Sequence, residues 1–133
     1  MKSLFIALLF TFPIAVSANT FDDFGGKKGL ERIVNTMFET ILKDERIKQF
    51  FAETDNEFIK EQLTIQFCAQ LDGPCTYEGA SMKDSHFGLG IKREHFNALV
   101  EALRDSMNTH KVPFSSQNKL LAKLAPMHKD IIE

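Results

Sequence analysis

Four histidines, at positions 86, 95, 110 and 128, and two cysteines at 68 and 75 are the side chains in this chain whose types could do chemistry. No two histidines stand four apart on a helix, so a tetrahedral zinc site of that kind is not supported. The chain has no glycine-rich phosphate loop, no G-x-S-x-G turn carrying a nucleophilic serine and no H-E-x-x-H. C-x-x-C-H, which would attach a cofactor through thioethers, is also missing. What remains is His86 in "MKDSHFGLGI", an imidazole between a short amphipathic run and two glycines. Its surroundings suit two roles: a hydrogen-bonded structural side chain or a metal ligand.

The elements that must position it follow from apolar spacing. Leu30, Ile33, Val34, Met37, Phe38, Ile41 and Leu42 recur at three and four residues, which predicts an amphipathic helix, and "GGKKG" before it reads as a flexible joint. A short segment, "DERIKQFF", ends in two phenylalanines. Asp55 or Asn56 is placed to cap a helix running to about Leu71, which "DGPCTYEG" stops. Phe96, Leu99, Val100, Leu103 and Met107 mark another helix. After Pro113, Ser115 or Ser116 is placed to cap a last one bearing Leu120, Leu121, Leu124 and Ile131. No two-residue alternation or internal repeat is present, so the expected class is all-α.

The helix from Phe58 to Leu71 is unusual. Its expected inward positions are Phe58, Ile59, Gln62, Leu63, Gln66, Phe67, Gln70 and Leu71, so amides interrupt an apolar stripe. Either the glutamines sit on a wet rim or the face borders a cavity for a polar ligand. The chain has 13 phenylalanines, one tyrosine and no tryptophan, so flat apolar walls are plentiful.

Residues 1–18, "MKSLFIALLFTFPIAVSA", carry one basic residue, an apolar run broken by Pro13, and small residues Val16 and Ala18 before a cleavage point. They read as a secretory signal peptide, shorter in its apolar core than a bilayer span. The remaining domain, 19–133, has about 115 residues and a net charge near −3, since Lys2 leaves with the signal. One domain is expected. There is no basic excess to serve a nucleic acid, and no second apolar run follows to cross a membrane. The expected location is secreted or periplasmic, where Cys68 and Cys75 are candidates for a disulfide.

The order "GGKKGLERIV", "DERIKQFFAETD", "GPCTYEGASMKDSHFGLGI", "HFNALVEAL", "VP" and "LAPMHKDI" resembles the group I truncated haemoglobins from about Phe21 to Ile132. The resemblance implies a shortened globin fold, two helices over two, enclosing non-covalent haem b. It makes His86 the proximal iron ligand and Phe51 the ring packed on the porphyrin. Phe67, Met82 and Ile91 fall on haem-wall positions, and His95 is left as a rim or structural histidine. Gly88 and Gly90 are expected to loosen the chain so that the imidazole can approach.

On the distal side this chain departs from the family. Phe38 stands where group I members usually place tyrosine, and Leu63 where they often place glutamine; Ile59 closes the pocket without a donor. Gln66 and Gln62 are the nearest amides that could substitute. The implied function is binding of a diatomic gas (oxygen, nitric oxide or carbon monoxide) at a histidine-ligated iron, of the oxygen-binding or transport type rather than an enzyme. The alternatives are an extracytoplasmic redox or nitric-oxide-handling protein served by an unknown electron donor, with nitric oxide dioxygenase-like activity, and a haem-free helical interaction module.

Overall fold

The computed structural model describes residues 19–133, and the signal segment expected at residues 1–18 lies outside them. Among the described residues there are helices and turns and no strand. In chain order they are α1 (Thr20–Asp23), α2 (Gly26–Ile41), a 3-10 turn (Lys48–Phe51), α3 (Asn56–Gln70), α4 (Met82–His86), α5 (Arg93–Thr109), α6 (Phe114–Leu124), a second 3-10 turn (Ala125–Met127) and α7 (His128–Ile131). Helix α2 packs on both α3 and α5, and α6 touches both as well, so two helices lie over two.

The core is the α2 stripe meeting its neighbours. Leu30, Ile33, Val34, Met37, Phe38 and Ile41 are buried against Phe67 and Leu71 of α3, against Ala98, Ala102, Leu103 and Met107 of α5, and against Leu120 of α6. Each large aliphatic there contributes roughly 1.5–3 kcal/mol of transfer free energy. The small side chains of Ala98 and Ala102, four residues apart, let α5 come close to α2. A hydroxyl at that contact needs an acceptor, and buried Ser106 donates its Oγ–H to the Ile33 carbonyl at 2.6 Å.

Asp55 caps α3 by accepting from the Phe58 N–H at 3.1 Å, as the sequence suggests. Three expectations are corrected. The "GGKKG" stretch is not a joint but the first turn of α2: Gly25 is its N-cap with φ +82°, and Gly29 is buried. A Cβ on Gly29 would lie 1.9 Å from the Phe24 carbonyl oxygen, so glycine there permits contact between α1 and α2. The α6 helix starts at Phe114 after Pro113, without a serine cap, and Ser116 instead donates to Asp23 Oδ2 at 2.6 Å. Phe58 points outward and is 57% exposed, because Phe67, Gln66 and Leu71 centre the buried stripe of α3 nearer its other end.

Two tethers shape the connections to the site. Arg46 pairs with Asp44 and with Glu101 of α5, both at 2.8 Å, and so pins the turn that leads to Phe50 and Phe51. The Arg46 guanidinium holds the Asp44 carboxyl below its usual range. Cys68 near the end of α3 is joined to Cys75 by a disulfide. By loop entropy a closure this short stabilises the fold by about 2–3 kcal/mol.

The Gly29 contact is testable by substitution. Gly29→Ala puts a methyl group against a backbone oxygen and is expected to cost at least about 1–3 kcal/mol, measured by urea unfolding, while Lys28→Ala at the exposed neighbour leaves the midpoint unchanged. Equal midpoints for Gly29→Ala and the parent would show that the Phe24 carbonyl moves aside freely.

Candidate functional site

His86 is the last residue of α4, a helix of five residues whose N-cap Ser81 accepts from the Asp84 N–H at 3.0 Å. The ring's Nδ1 lies 2.7 Å from the Met82 carbonyl oxygen and 2.9 Å from Ser85 Oγ. A carbonyl only accepts, and the Ser85 hydroxyl hydrogen goes to the Ser81 carbonyl at 2.8 Å, so Nδ1 carries the proton. The tautomer follows: Nε2 keeps its lone pair on a half-buried ring. This is the second-sphere arrangement that orients a metal-ligating imidazole and raises its basicity.

The other histidines are engaged in structure. His95 Nδ1 accepts from the Lys92 N–H at 2.9 Å, closing the start of α5, and its ring packs against Phe50 with centroids 4.9 Å apart. His110 bonds to Thr36 at 2.8 Å, and His128 bonds through Nδ1 to the Ala125 carbonyl at 3.0 Å. Among the described residues no three histidine, cysteine or acidic side chains converge on a point that could hold a metal ion. A metal at His86 must therefore bring its other ligands with it, as iron in a porphyrin does.

The other residues named for the site lie on α2, α3, α4, the two 3-10 turns and the loop after the glycines. Met82, one turn before His86 on α4, receives the Gln66 amide nitrogen on its sulfur at 3.6 Å, and Met127 receives it at 3.8 Å. Phe67 is fully buried in the core, and Ile91 is buried just after the glycine turn. Phe38 is 2% exposed and meets Phe51 edge-on, with centroids 5.5 Å apart. Ile59 and Leu63 are partly buried against the same core.

The two glutamines expected to supply a distal donor differ in their surroundings. Gln66 is 6% exposed and turned inward, but its amide nitrogen is committed to the two thioethers on the side of α4. Gln62 Oε1 sits beside Gly79, where an added Cβ would be 2.7 Å from it and 2.5 Å from the Tyr77 hydroxyl oxygen. Gln70 Oε1, one turn beyond Gln66, is buried with no partner among the described residues. Such an orphan costs about 1–3 kcal/mol unless something else satisfies it.

The glycines after His86 act differently from the expectation. Gly88 and Gly90 have φ of +77° and +67°, and a Cβ on either would meet nothing within 4 Å. Left-handed backbone demands glycine there, rather than shortage of room or a need for looseness. Sequence reasoning did not single out Ser85 or Met127. A serine beside a helix-terminal histidine is a faint signal for the first; nothing local marks the second.

Residues 19–133 match the bacterial-like globin family. The chain is 33% identical over 124 residues to a group 1 truncated hemoglobin of Mycolicibacterium paratuberculosis, covering 93% of this chain and 91% of the relative. It is 28% identical to a group 1 truncated hemoglobin of Tetrahymena pyriformis, over 84% of this chain and 93% of that one. The crystal structure of truncated hemoglobin from Tetrahymena pyriformis in its Fe(III) form superposes with a TM-score of 0.81 at 27% identity, covering 86% of this chain and 98% of that chain. The 2/2 hemoglobin of Synechococcus shares the fold at 21% identity, with a TM-score of 0.80 over 86% of this chain and 98% of that one. The family match spans every described residue, and the chain belongs to the bacterial-like globins.

Proposed function

We propose that this chain binds a diatomic gas reversibly at a haem iron ligated by His86 Nε2, with Phe51, Phe67, Met82 and Ile91 against the porphyrin and Phe38, Ile59 and Leu63 facing the gas. The cofactor of this family is haem, whose iron, once ligated by a protein imidazole, leaves one axial position open to oxygen, nitric oxide or carbon monoxide. The observation that carries the reading is the His86 ring itself: Nδ1 donates to the Met82 carbonyl of its own helix at 2.7 Å, so Nε2 keeps the lone pair that a metal needs. The remaining contributions are steric. Phe51 is held edge-on by Phe38, with ring centroids 5.5 Å apart, which restrains its ring as a flat apolar surface.

The reading is checked by reconstituting the mature chain with haemin. The parent is expected to give a Soret band distinct from free haemin, and His86→Gly to lose it until imidazole is added to the solution. A band unchanged in His86→Gly would remove His86 as the ligand.

The distal face carries no ring hydroxyl, so a polar gas gains little hydrogen-bond stabilisation there. This favours a second reading, redox or nitric-oxide chemistry outside the cytoplasm with a separate electron donor. Reduced protein that persists for hours in air argues for reversible oxygen binding, and loss within minutes argues for redox work. Phe38→Tyr supplies the missing donor and is expected to slow oxygen release about three- to tenfold, the worth of one hydrogen bond, with carbon monoxide nearly unaffected. Gln66→Leu is expected to change oxygen release by less than about twofold, a shift too small for a lost hydrogen bond, because both amide contacts go to Met82 and Met127. A clear acceleration in stopped flow would show that the amide turns to the gas.

We also propose that residues 1–18 direct export. The disulfide between Cys68 and Cys75 supports this, since such bonds persist in oxidising compartments. Protein secreted or recovered from the periplasm of a bacterial host is expected to begin near Asn19 by mass spectrometry. Full-length chain confined to the cytoplasm would count against export.

A further inference from the structure

We propose that Glu133 is a positioning residue for His86, its carboxylate holding the loop that leaves α4 and so setting the orientation of the imidazole. The inference rests on His86 being the iron ligand. Glu133 Oε1 accepts from the Gly88 N–H at 2.6 Å and Oε2 from the Gly90 N–H at 2.7 Å, one oxygen to each donor. The left-handed φ of both glycines turns these two N–H groups toward the same carboxylate, which makes a small anion-holding concavity of the kind formed by alternating backbone handedness. The same two N–H groups hold the Glu133 carboxyl below its usual range, Gly88 foremost, so the clamp keeps its charge.

Two backbone ties reinforce it. The Glu133 N–H donates to the Ile91 carbonyl at 2.9 Å, and Lys92 Nζ donates to the Glu133 carbonyl at 3.1 Å. Helix α7, just before Glu133, packs on α4.

Apart from a long Leu89 N–H bond to the His86 carbonyl at 3.3 Å and the burial of Ile91, little else among the described residues fixes this loop. Helix α4 has five residues, too few to hold its own direction by internal hydrogen bonds. Phe87 leaves it in an extended conformation and is 79% exposed, and Leu89 is exposed too. Two glycines carry a large conformational entropy that something must offset. The ionic clamp is the contact that does so on the C-terminal side of His86, as the Ser81 cap does on the other.

The test compares the haem-loaded parent with Glu133→Gln, which keeps the shape but replaces one acceptor oxygen with a donor, and with Glu133→Ala, which removes both. The iron–histidine stretching band of the ferrous proteins is read by resonance Raman, and haem loss is timed by transfer to an excess of apomyoglobin. Expected is a shifted or broadened band with haem loss about three- to tenfold faster in Glu133→Ala, the worth of one or two hydrogen bonds, and an intermediate value in Glu133→Gln. Lys28→Ala, an exposed change on α2 away from the clamp, is expected to leave the band in place. If the parent shows an iron–histidine band and both Glu133 variants match it in band and haem loss, the positioning role is overturned while His86 ligation stands. If His86→Gly keeps the parent's band, the ligation reading fails first. Should Glu133→Ala fail to fold, Glu133→Gln alone decides, because an isosteric change that leaves the band in place excludes the clamp.

Discussion

The hydrogen bond from His86 Nδ1 to the Met82 carbonyl is the interaction on which the rest of the site depends. It sets the tautomer, and the tautomer decides whether Nε2 offers a lone pair or a proton to whatever approaches. Yet the bond lies within a helix of one and a half turns, which by itself would fray. The molecule answers this from outside the helix. Ser81 caps one end, the Gln66 amide sits on the Met82 sulfur from α3, α7 packs alongside, and Glu133 holds the glycine turn that follows. The disulfide acts one step further out, shortening the free path between the end of α3 and the loop that leads into α4. A short helix held from several sides places an imidazole well because its orientation depends on none of its own residues alone.

Much of this fold was legible in the sequence. The 3.6-residue stripe of α2 is buried from Leu30 to Ile41 as its spacing predicts, and Asp55 caps α3, because burial of an apolar face and satisfaction of end N–H groups are local decisions. The errors share a different physics. "GGKKG" looked like a joint because glycine's freedom is visible in a sequence, whereas the Phe24 carbonyl that excludes a Cβ at Gly29 is not. Ser116 looked like a cap, but Asp23, far away in sequence, offered its hydroxyl a charged acceptor. Tertiary partners of this kind leave no mark at the residue they engage. The same reason hid Glu133, which stands 43 and 45 residues from the glycines it holds.

The site itself divides along the same line. That His86, Phe51 and Phe38 are candidates for the site could be argued from their types and from family resemblance; what each touches could not. The amides of α3 show the difference most sharply. Sequence periodicity put Gln62 and Gln66 near the apolar stripe, and Gln66 is indeed inward, but a helical position specifies only a direction from the axis. Whether an amide then meets a gas, a loop or a pair of sulfurs depends on which neighbour brings an acceptor within about 3 to 4 Å. Met82 and Met127 arrive there from two other elements, and thioether sulfur is a weak acceptor.

A chain that keeps a well-supported imidazole on one side and only hydrocarbon on the other has separated two jobs that a gas-binding site usually combines. In the proposed site the imidazole would govern how strongly an iron is held, and the Met82 carbonyl fixes which ring nitrogen faces it. The opposite face governs which gas gains from binding. A polar adduct needs a donor to stabilise its outer atom, whereas a less polarised gas needs only room. In the proposed site, where Phe38, Ile59 and Leu63 face the gas, selectivity would fall to size and to intrinsic iron chemistry rather than to hydrogen bonding. The Gln66 amide nitrogen is engaged by Met82 and Met127, so in that reading polar side chains orient the metal ligand and leave the gas to the iron.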